Sequence, residues 1–408
     1  MASQVIKKPA SGLFNHKNRD KGLPLALRIF AVVVVLYFLV SVFDSFYSFY
    51  SFTMDASSGK TAMMGMSYNI CLFIYWLMTI VVSALYCALF VLLILNKRKL
   101  AARTIYIIYG SIGVELITFV MTHGISFQII TYILGVLILV AMQIYLDPSL
   151  SAERAQERKE QDEIWRDEQV KGTLGFDETG KGAIEINFFN LFWIFVLCSF
   201  IGLVIELIYH FVVVVPGEIQ DRAGLLFGPF SPIYGFGAVL MTIILNRLHK
   251  QPFPVIFVSS GIIGGLFEVF VSYFMQYAFG AVAWDYSSYP FSFFGGRTCL
   301  SFMCMWGVLG TFWLRVAMPG IVRMINKIPW NLRYTLTSVC AILMLVNAIM
   351  TLQALDCWYM RIAYGETNEI IETPISNFYA TYFDNDYMQN RFESMSINPD
   401  AAVRSELN

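Results

Sequence analysis

The sequence predicts an all-α polytopic membrane protein with about nine transmembrane helices, its N-terminus inside and two irregular loops on the extracytoplasmic side. Three observations predict it. Of 408 residues, 57% are hydrophobic and only 14% are charged, with a mean hydropathy of +0.61, whereas a soluble domain carries about 25% charged residues. The apolar residues gather in runs close to the length of about 20 that a bilayer core demands of a helix. Lys and Arg concentrate in alternate connections, which is the asymmetry that sets orientation.

The start of the chain, residues 1–23, is polar and basic, and no cleavable signal is apparent. The first apolar run, 25–43, therefore reads as a signal-anchor helix. Residues 44–66, rich in Ser, Phe and Tyr, suit a membrane–water interface. The second span is 68–95, long enough to tilt, and an inside loop at 96–103 carries Lys97, Arg98, Lys99 and Arg103. The third span, 104–121, contains Glu115, and a tight turn at His123 and Gly124 leads to the fourth, 127–146. These form an N-terminal four-helix membrane domain, 1–146.

Residues 147–187 break the pattern. The stretch SAERAQERKEQDEIWRDEQ pairs opposite charges at i,i+4 and predicts a solvated cytoplasmic helix; KGTLGFDETGKG after it reads as a Gly-rich linker. A plain interdomain connector explains this segment more simply than a docking helix for a cytosolic partner. Five further spans, 188–215, 233–245, 255–279, 300–317 and 335–355, make up a permease-like domain, 188–355. Between the last two, 319–334 reads as an interfacial helix with Arg323, Lys327 and Arg333. The tail, 356–408, is acidic and extracytoplasmic.

Several classes are excluded or disfavoured. A net charge of -1 and the lack of a basic patch with interleaved aromatics speak against nucleic acid. The seven cysteines lie mostly inside apolar runs without CxxC pairing, which predicts neither zinc nor a disulfide framework, only small buried hydrophobes. No nucleophile elbow, P-loop or Rossmann fingerprint appears, so neither a cofactor nor a metal is expected.

The chemistry-bearing residues cluster around the two loops. The first reads GPFSPIYGFG from Gly228 to Gly237 and includes Pro229, Pro232, Tyr234 and Gly235. The second reads WDYSSYPFSFFGGR from Trp284 to Arg297 and includes Tyr286 and Gly296. Proline and glycine exclude regular helix there. Irregular backbone at membrane depth survives only against protein or a water-filled cavity. Spans five to eight look duplicated: Gly202 to Glu206 and Gly264 to Glu268 both read GxxxE, and each leads into a loop holding an arginine, Arg222 or Arg297. Glu206 and Glu268 must face the bundle interior, because a bare mid-membrane carboxylate costs about 2.5–3.5 kcal/mol or more. His210, four residues after Glu206, shares its face, and Asp285, Arg222 and Arg297 lie on the same side. Together they form a candidate substrate or proton site. On this reading the two loops touch and Arg297 lies close to Glu206 or Glu268. The alternative is that the glutamates pair with Arg222 or Arg297 only to hold the loops.

On these motifs the chain resembles a known group. GLVIE around Glu206, GLLFGPFSPIYGFGA from Gly224 to Ala238, LFEVFVSYF around Glu268, WDYS from Trp284 and GGRTCL from Gly295 look like the bacterial ABC-transporter type IV (CmpB-type) permeases. The resemblance covers residues 188–319 and returns in the tail at 378–394. Gln276 stands where a second glutamate is expected in the segment. The family's Asn-Arg-Gly ahead of its GP motif is here Asp221-Arg222-Ala223-Gly224, with the arginine displaced by one, and Gly295 replaces an asparagine before the Gly-Arg pair. The resemblance implies a multi-pass protein of the bacterial plasma membrane, in contact with membrane lipids. It would act as a permease-like transporter, or as the membrane subunit of one, for an unspecified small molecule. The chain carries no ATP-binding cassette of its own, so a cassette subunit would be a separate partner. Two other classes stay open: an intramembrane enzyme acting on a lipid-linked substrate, and a non-transporting scaffold or sensor. The missing nucleophile motif and the scarcity of His weigh against the enzyme.

Overall fold

The computed structural model describes residues 65–95, 97–126, 128–146, 166–173, 175–177, 182–365 and 374–404, with isolated positions elsewhere. The predicted first span, 25–43, and most of the charged segment, 147–187, lie outside the described residues. Among those described, the protein is all-α and polytopic. Six helical stretches are long and apolar enough to cross a membrane: Met66–Ile94, Leu100–His123, Phe188–Val214, Phe253–Phe279, Leu300–Ile325 and Leu332–Tyr364. Two shorter apolar helices accompany them, Ile129–Val140 and Pro232–Leu248.

We number the helices α1 (Met66–Ile94), α2 (Arg98–His123), α3 (Ile129–Leu146), α4 (Phe188–Tyr209), α5 (Pro232–Leu245), α6 (Phe253–Phe279), α7 (Leu300–Phe312), α8 (Met318–Ile325), α9 (Trp330–Tyr364), α10 (Pro374–Tyr382) and α11 (Asn385–Arg391). Local chemistry fixes their ends. Asn187 caps α4 by accepting from the Asn190 amide at 2.8 Å. Pro232 opens α5 at a position where a missing amide hydrogen costs nothing. Gly280 ends α6 in the left-handed region, φ 60°, which suits a residue without Cβ.

Residues 319–334 do not form the single interfacial helix that their basic residues suggest. A π turn at Trp313–Ala317 carries α7 into α8, so that Leu300–Ile325 is one apolar stretch. Pro319 sits in the first turn of α8 and therefore does not break it. Met318, Ile321, Val322 and Ile325 bury one face of α8. Arg333 belongs to α9, where its guanidinium packs 3.5 Å from the Phe189 ring centroid, a cation–π contact that suits a buried arginine.

Three apolar clusters hold the bundle. One joins α1, α2 and α3 through Leu89, Ile105, Ile108 and Leu139. A second joins α4 to α8 through Ile194, Leu245, Ile256 and Met318. The third crosses the molecule, uniting Trp76 of α1 and Phe119 of α2 with Phe279, with Trp358 of α9, and with Tyr379, Met388 and Phe392 of the tail.

The tail, polar by composition, is thus packed into the protein. Its short strand β4 (Ser396–Ile397) pairs antiparallel with β1 (Ala281–Val282) just after α6, while β2 (Ser292–Phe293) pairs antiparallel with β3 (Thr298–Cys299) in the second loop. Beyond β4, Arg404 is buried. It donates to Asp356 of α9 at 2.5 Å and to the Ala278 carbonyl at 2.7 Å. The other Asp356 oxygen accepts from the Ile125 amide at 3.1 Å. The guanidinium occupies the space where Gly124 would carry a side chain, so α2, α6, α9 and the tail meet at one ion pair.

Removing one partner of a buried pair strands the other charge and costs about 3–5 kcal/mol. Arg404→Ala is therefore expected to lower the unfolding free energy of the detergent-solubilised protein by that amount. Lys171→Ala, which breaks a largely exposed pair with Asp167, leaves it unchanged.

Candidate functional site between two hairpins

The helices α4 and α5 form one hairpin, and α6 and α7 form another. Their first helices share a pattern: Phe195, Gly202 and Glu206 in α4 recur at the same spacing as Phe257, Gly264 and Glu268 in α6. Their return helices carry Tyr234-Gly235 and Trp306-Gly307. The packing repeats as well. A Cβ on Gly202 would run into the Tyr234 ring, and a Cβ on Gly264 into the Trp306 ring. In return, Gly235 lies against the Phe195 carbonyl, and Gly307 against that of Phe257. Small residues at such crossings let two backbones approach within a membrane. One aromatic ring per hairpin fills the gap that results.

The glutamates lie one helical turn beyond those glycines, so each aromatic polar atom arrives beside a carboxylate. The Tyr234 hydroxyl neighbours Glu206. The Trp306 indole nitrogen neighbours Glu268 but is buried without a hydrogen bond of standard geometry. Glu206 also faces Arg222 Nη1 at 3.6 Å, with side chains 24% and 21% exposed. That separation is loose for an ion pair, and Arg222 Nε is buried without an acceptor. Glu268 is 6% exposed and accepts from Thr298 Oγ1 at 2.9 Å.

The second loop links the two carboxylates. Tyr286 lies within electrostatic reach of Glu206, Glu268 and Tyr234, and its ring stacks on Phe302 at 4.2 Å. Burial and then the Glu268 charge push its phenol up, so it stays a neutral hydrogen-bond donor.

The other predicted residues are placed differently. Arg297 binds neither glutamate. It donates to Ser272 Oγ at 3.0 Å and to the Gln276 side chain, and it lies 5.2 Å from the Tyr273 ring centroid. Ser272 and Gln276 follow Glu268 at one-turn intervals, so the guanidinium is taken up beyond the carboxylate, and its neighbour Thr298 reaches Glu268 instead. Asp285 is exposed and caps its own turn, accepting from Ser287 Oγ at 2.6 Å and Ser287 N at 2.8 Å. Those two bonds, side chain first, hold its carboxyl below the usual range. Trp284 donates to the Arg297 carbonyl at 3.1 Å, and the Tyr286 amide donates to the Gly296 carbonyl at 2.7 Å, closing the second loop on itself. His210 is buried in the π turn after α4, with Nδ1 3.3 Å from the Glu218 carbonyl.

Gly228 adopts φ 76°, which lets the first loop turn sharply before Pro229 and Pro232. That loop is held by residues the sequence reading did not select. Asn347 and Thr351 of α9 bind the backbone of Phe227 and Leu226. Arg391 of the tail donates to the carbonyls of Leu225 and Gly228 and to Asp221, at 2.6–2.8 Å. Glu393 accepts from the Asp221 amide at 2.8 Å. The tail binds the first loop through Arg391 and the start of the second through β4, so it cross-ties both. The signal available was positional: the family resemblance expected in the tail falls on 378–394, the stretch that holds Arg391 and Glu393.

Among the described residues, no group of three His, Cys, Asp or Glu side chains could hold a metal ion. What the site offers is one buried carboxylate, Glu268, one half-buried carboxylate, Glu206, one incompletely satisfied arginine and neutral Tyr, Thr and Trp donors. Such a set can hold a polar solute or a proton.

The glycine–aromatic contact makes a direct prediction. Gly264→Ala forces a methyl group into the Trp306 ring and is expected to cost about 1–3 kcal/mol of stability, the usual penalty for overpacking. Gly113→Ala in α2 meets open space and should be neutral or stabilising by up to about 1 kcal/mol. Thermal unfolding in one detergent checks both.

No curated protein and no solved structure matches the chain significantly. Glu206, Arg222, Tyr234, Glu268, Tyr286 and Arg297 all fall within the stretch that does match a family, residues 193–352. The chain is a multi-pass, transporter-like membrane protein whose residues 193–352 match the family described as "Putative ABC-transporter type IV".

Proposed function

We propose that the protein is a membrane permease-like transporter, or the membrane subunit of one, which binds a small polar solute between its two glutamate-bearing hairpins. The observation that carries this reading is the repeated packing unit. Two hairpins of the same construction each present a carboxylate beside an aromatic donor, Glu268 buried and Glu206 half-buried, and Tyr286 lies within electrostatic reach of both. Duplicated units that bring polar groups together inside an apolar bundle are how many transporters build a site and alternate access to it. Carboxylates kept at membrane depth mark substrate or proton paths. On this reading the loops face the outside, since the basic connections lie at the other end. Arg222, with a buried Nε lacking an acceptor, is the group that would meet an acceptor on the solute. A separate ATP-binding cassette subunit would supply the energy if the transport is ATP-driven.

The test is uptake from a mixture. Proteoliposomes holding the full chain are incubated with the small-molecule fraction of a cell lysate, with and without a pH gradient, and their contents are read by mass spectrometry. One solute class should accumulate above empty liposomes. A hydrogen bond to a charged group contributes about 1.5–3 kcal/mol, and about 1.4 kcal/mol is tenfold in affinity. Glu206→Gln and Glu268→Gln are therefore each expected to cut uptake about tenfold or more, while Glu218→Gln on the exposed loop leaves it intact. Full uptake by the double glutamine variant would reduce the carboxylates to ties that hold the loops. Co-purification of a cassette ATPase with the full chain would identify the energy source.

A further inference from the structure

Glu115 lies outside the matched stretch, and the hairpin site does not use it. It is 5% exposed in the middle of α2, where α1, α2 and α3 pack together. Two neutral hydroxyls reach its Oε1: Thr79 Oγ1 of α1 at 2.9 Å and Tyr132 of α3 at 3.1 Å. Among the described residues no Lys, Arg or His contacts the carboxylate. A carboxylate held at this depth without a countercharge is costly while ionised, and neutral donors offset only part of that cost.

The donors are arranged to tolerate either charge state. Thr79 has one hydroxyl proton but two acceptors in reach, Glu115 Oε1 and the Tyr75 carbonyl at 3.0 Å. It can release the carboxyl without becoming unsatisfied. Tyr132 has a second hydrogen-bond partner as well, the Tyr75 hydroxyl. Tyr75 in turn packs against His123, with ring centroids 5.5 Å apart. His123 stacks on Phe119 at 4.9 Å, bonds Thr122 Oγ1 through Nδ1 at 2.7 Å and is exposed at the end of α2. Glu115, Phe119 and His123 stand at successive i,i+4 positions and so form one stripe along α2. The Arg404–Asp356 pair closes the same end of that helix, with the Arg404 guanidinium within electrostatic reach of His123.

We propose that Glu115 is a proton-loading site, which exchanges its proton with water along Tyr132 and Tyr75 towards His123. The step is a transfer only. A proton from water at the exposed end replaces the one that each hydroxyl passes inward. The Glu115 carboxylate becomes a neutral carboxyl, and Thr79 turns its hydroxyl to the Tyr75 carbonyl. Release runs the same path in reverse. The ligand class is the proton itself, and the site stands apart from the hairpin reading.

Infrared difference spectroscopy of the full chain, with its glutamates carbon-13 labelled, tests this across a pH titration in water and in deuterium oxide. A protonated-carboxyl band should titrate, vanish in Glu115→Gln and shift in Tyr132→Phe. Tyr75→Phe should keep the band but slow its shift on transfer to deuterium oxide several-fold, which a purely structural role for Tyr75 would not do. If Glu115→Gln does not fold, the Tyr132→Phe shift assigns the band, and the Tyr75→Phe exchange rate decides. The proposal is overturned if no band responds to either the Glu115 or the Tyr132 substitution, if the assigned band stays constant over the whole titration, or if Tyr75→Phe exchanges as fast as the parent.

Discussion

A carboxylate inside a membrane must find its partners within the protein, and that constraint organises this chain. Glu115, Glu206, Glu268 and Asp356 lie on four different long helices. Each meets a donor that arrives from another element: Thr79 and Tyr132 for Glu115, Arg222 for Glu206, Thr298 for Glu268, and Arg404 for Asp356. Apolar side chains cannot by themselves fix how helices pack in lipid, because lipid is as apolar as they are. The polar contacts therefore select the neighbours. The three apolar clusters then fill the space those contacts define.

The hairpins show how the sequence meets this demand twice with one device. A glycine in the first helix admits an aromatic ring from the second, and a glutamate one turn on receives the polar atom of that ring. The two copies then diverge. Glu206 has an arginine nearby at a loose distance, whereas Glu268 is satisfied by a threonine, and the corresponding arginine, Arg297, is held by Ser272 and Gln276. Each hairpin thus keeps one buried donor nitrogen without an acceptor, Arg222 Nε beside the first carboxylate and Trp306 Nε1 beside the second. The tail, through Arg391 and β4, keeps both loops in a fixed relation across the top of the pair.

Much of this was legible in the chain. Apolar runs and basic connections gave the polytopic fold, and most span limits agree with the helices to within a few residues, because a bilayer imposes both length and composition. The spacing of Gly202 with Glu206 and of Gly264 with Glu268 pointed to paired hairpins. What was not legible follows from contacts distant in sequence. The partner of Arg297 depends on Gln276 standing one turn beyond Ser272, and a charge count favours a carboxylate there. Arg391 and Arg404 sit in a tail whose composition reads as solvated, yet each carries several bonds into the bundle that only the fold reveals. Residues 319–334 read as an interfacial helix from their charges, whereas Pro319 at a helix start and Arg333 over Phe189 accommodate them within two apolar helices.

The central claim is that buried carboxylates tie specific elements together. It is tested most directly by a double-mutant cycle on Glu268 and Thr298, reading the unfolding free energy of Glu268→Gln, Thr298→Val and the double variant in one micelle system. Groups in direct contact couple by about 0.5–3 kcal/mol, while independent sites add to within about 0.3–0.5 kcal/mol. The account predicts a coupling above that additive limit. Strict additivity would contradict it, because Glu268 would then owe nothing to the loop that reaches it.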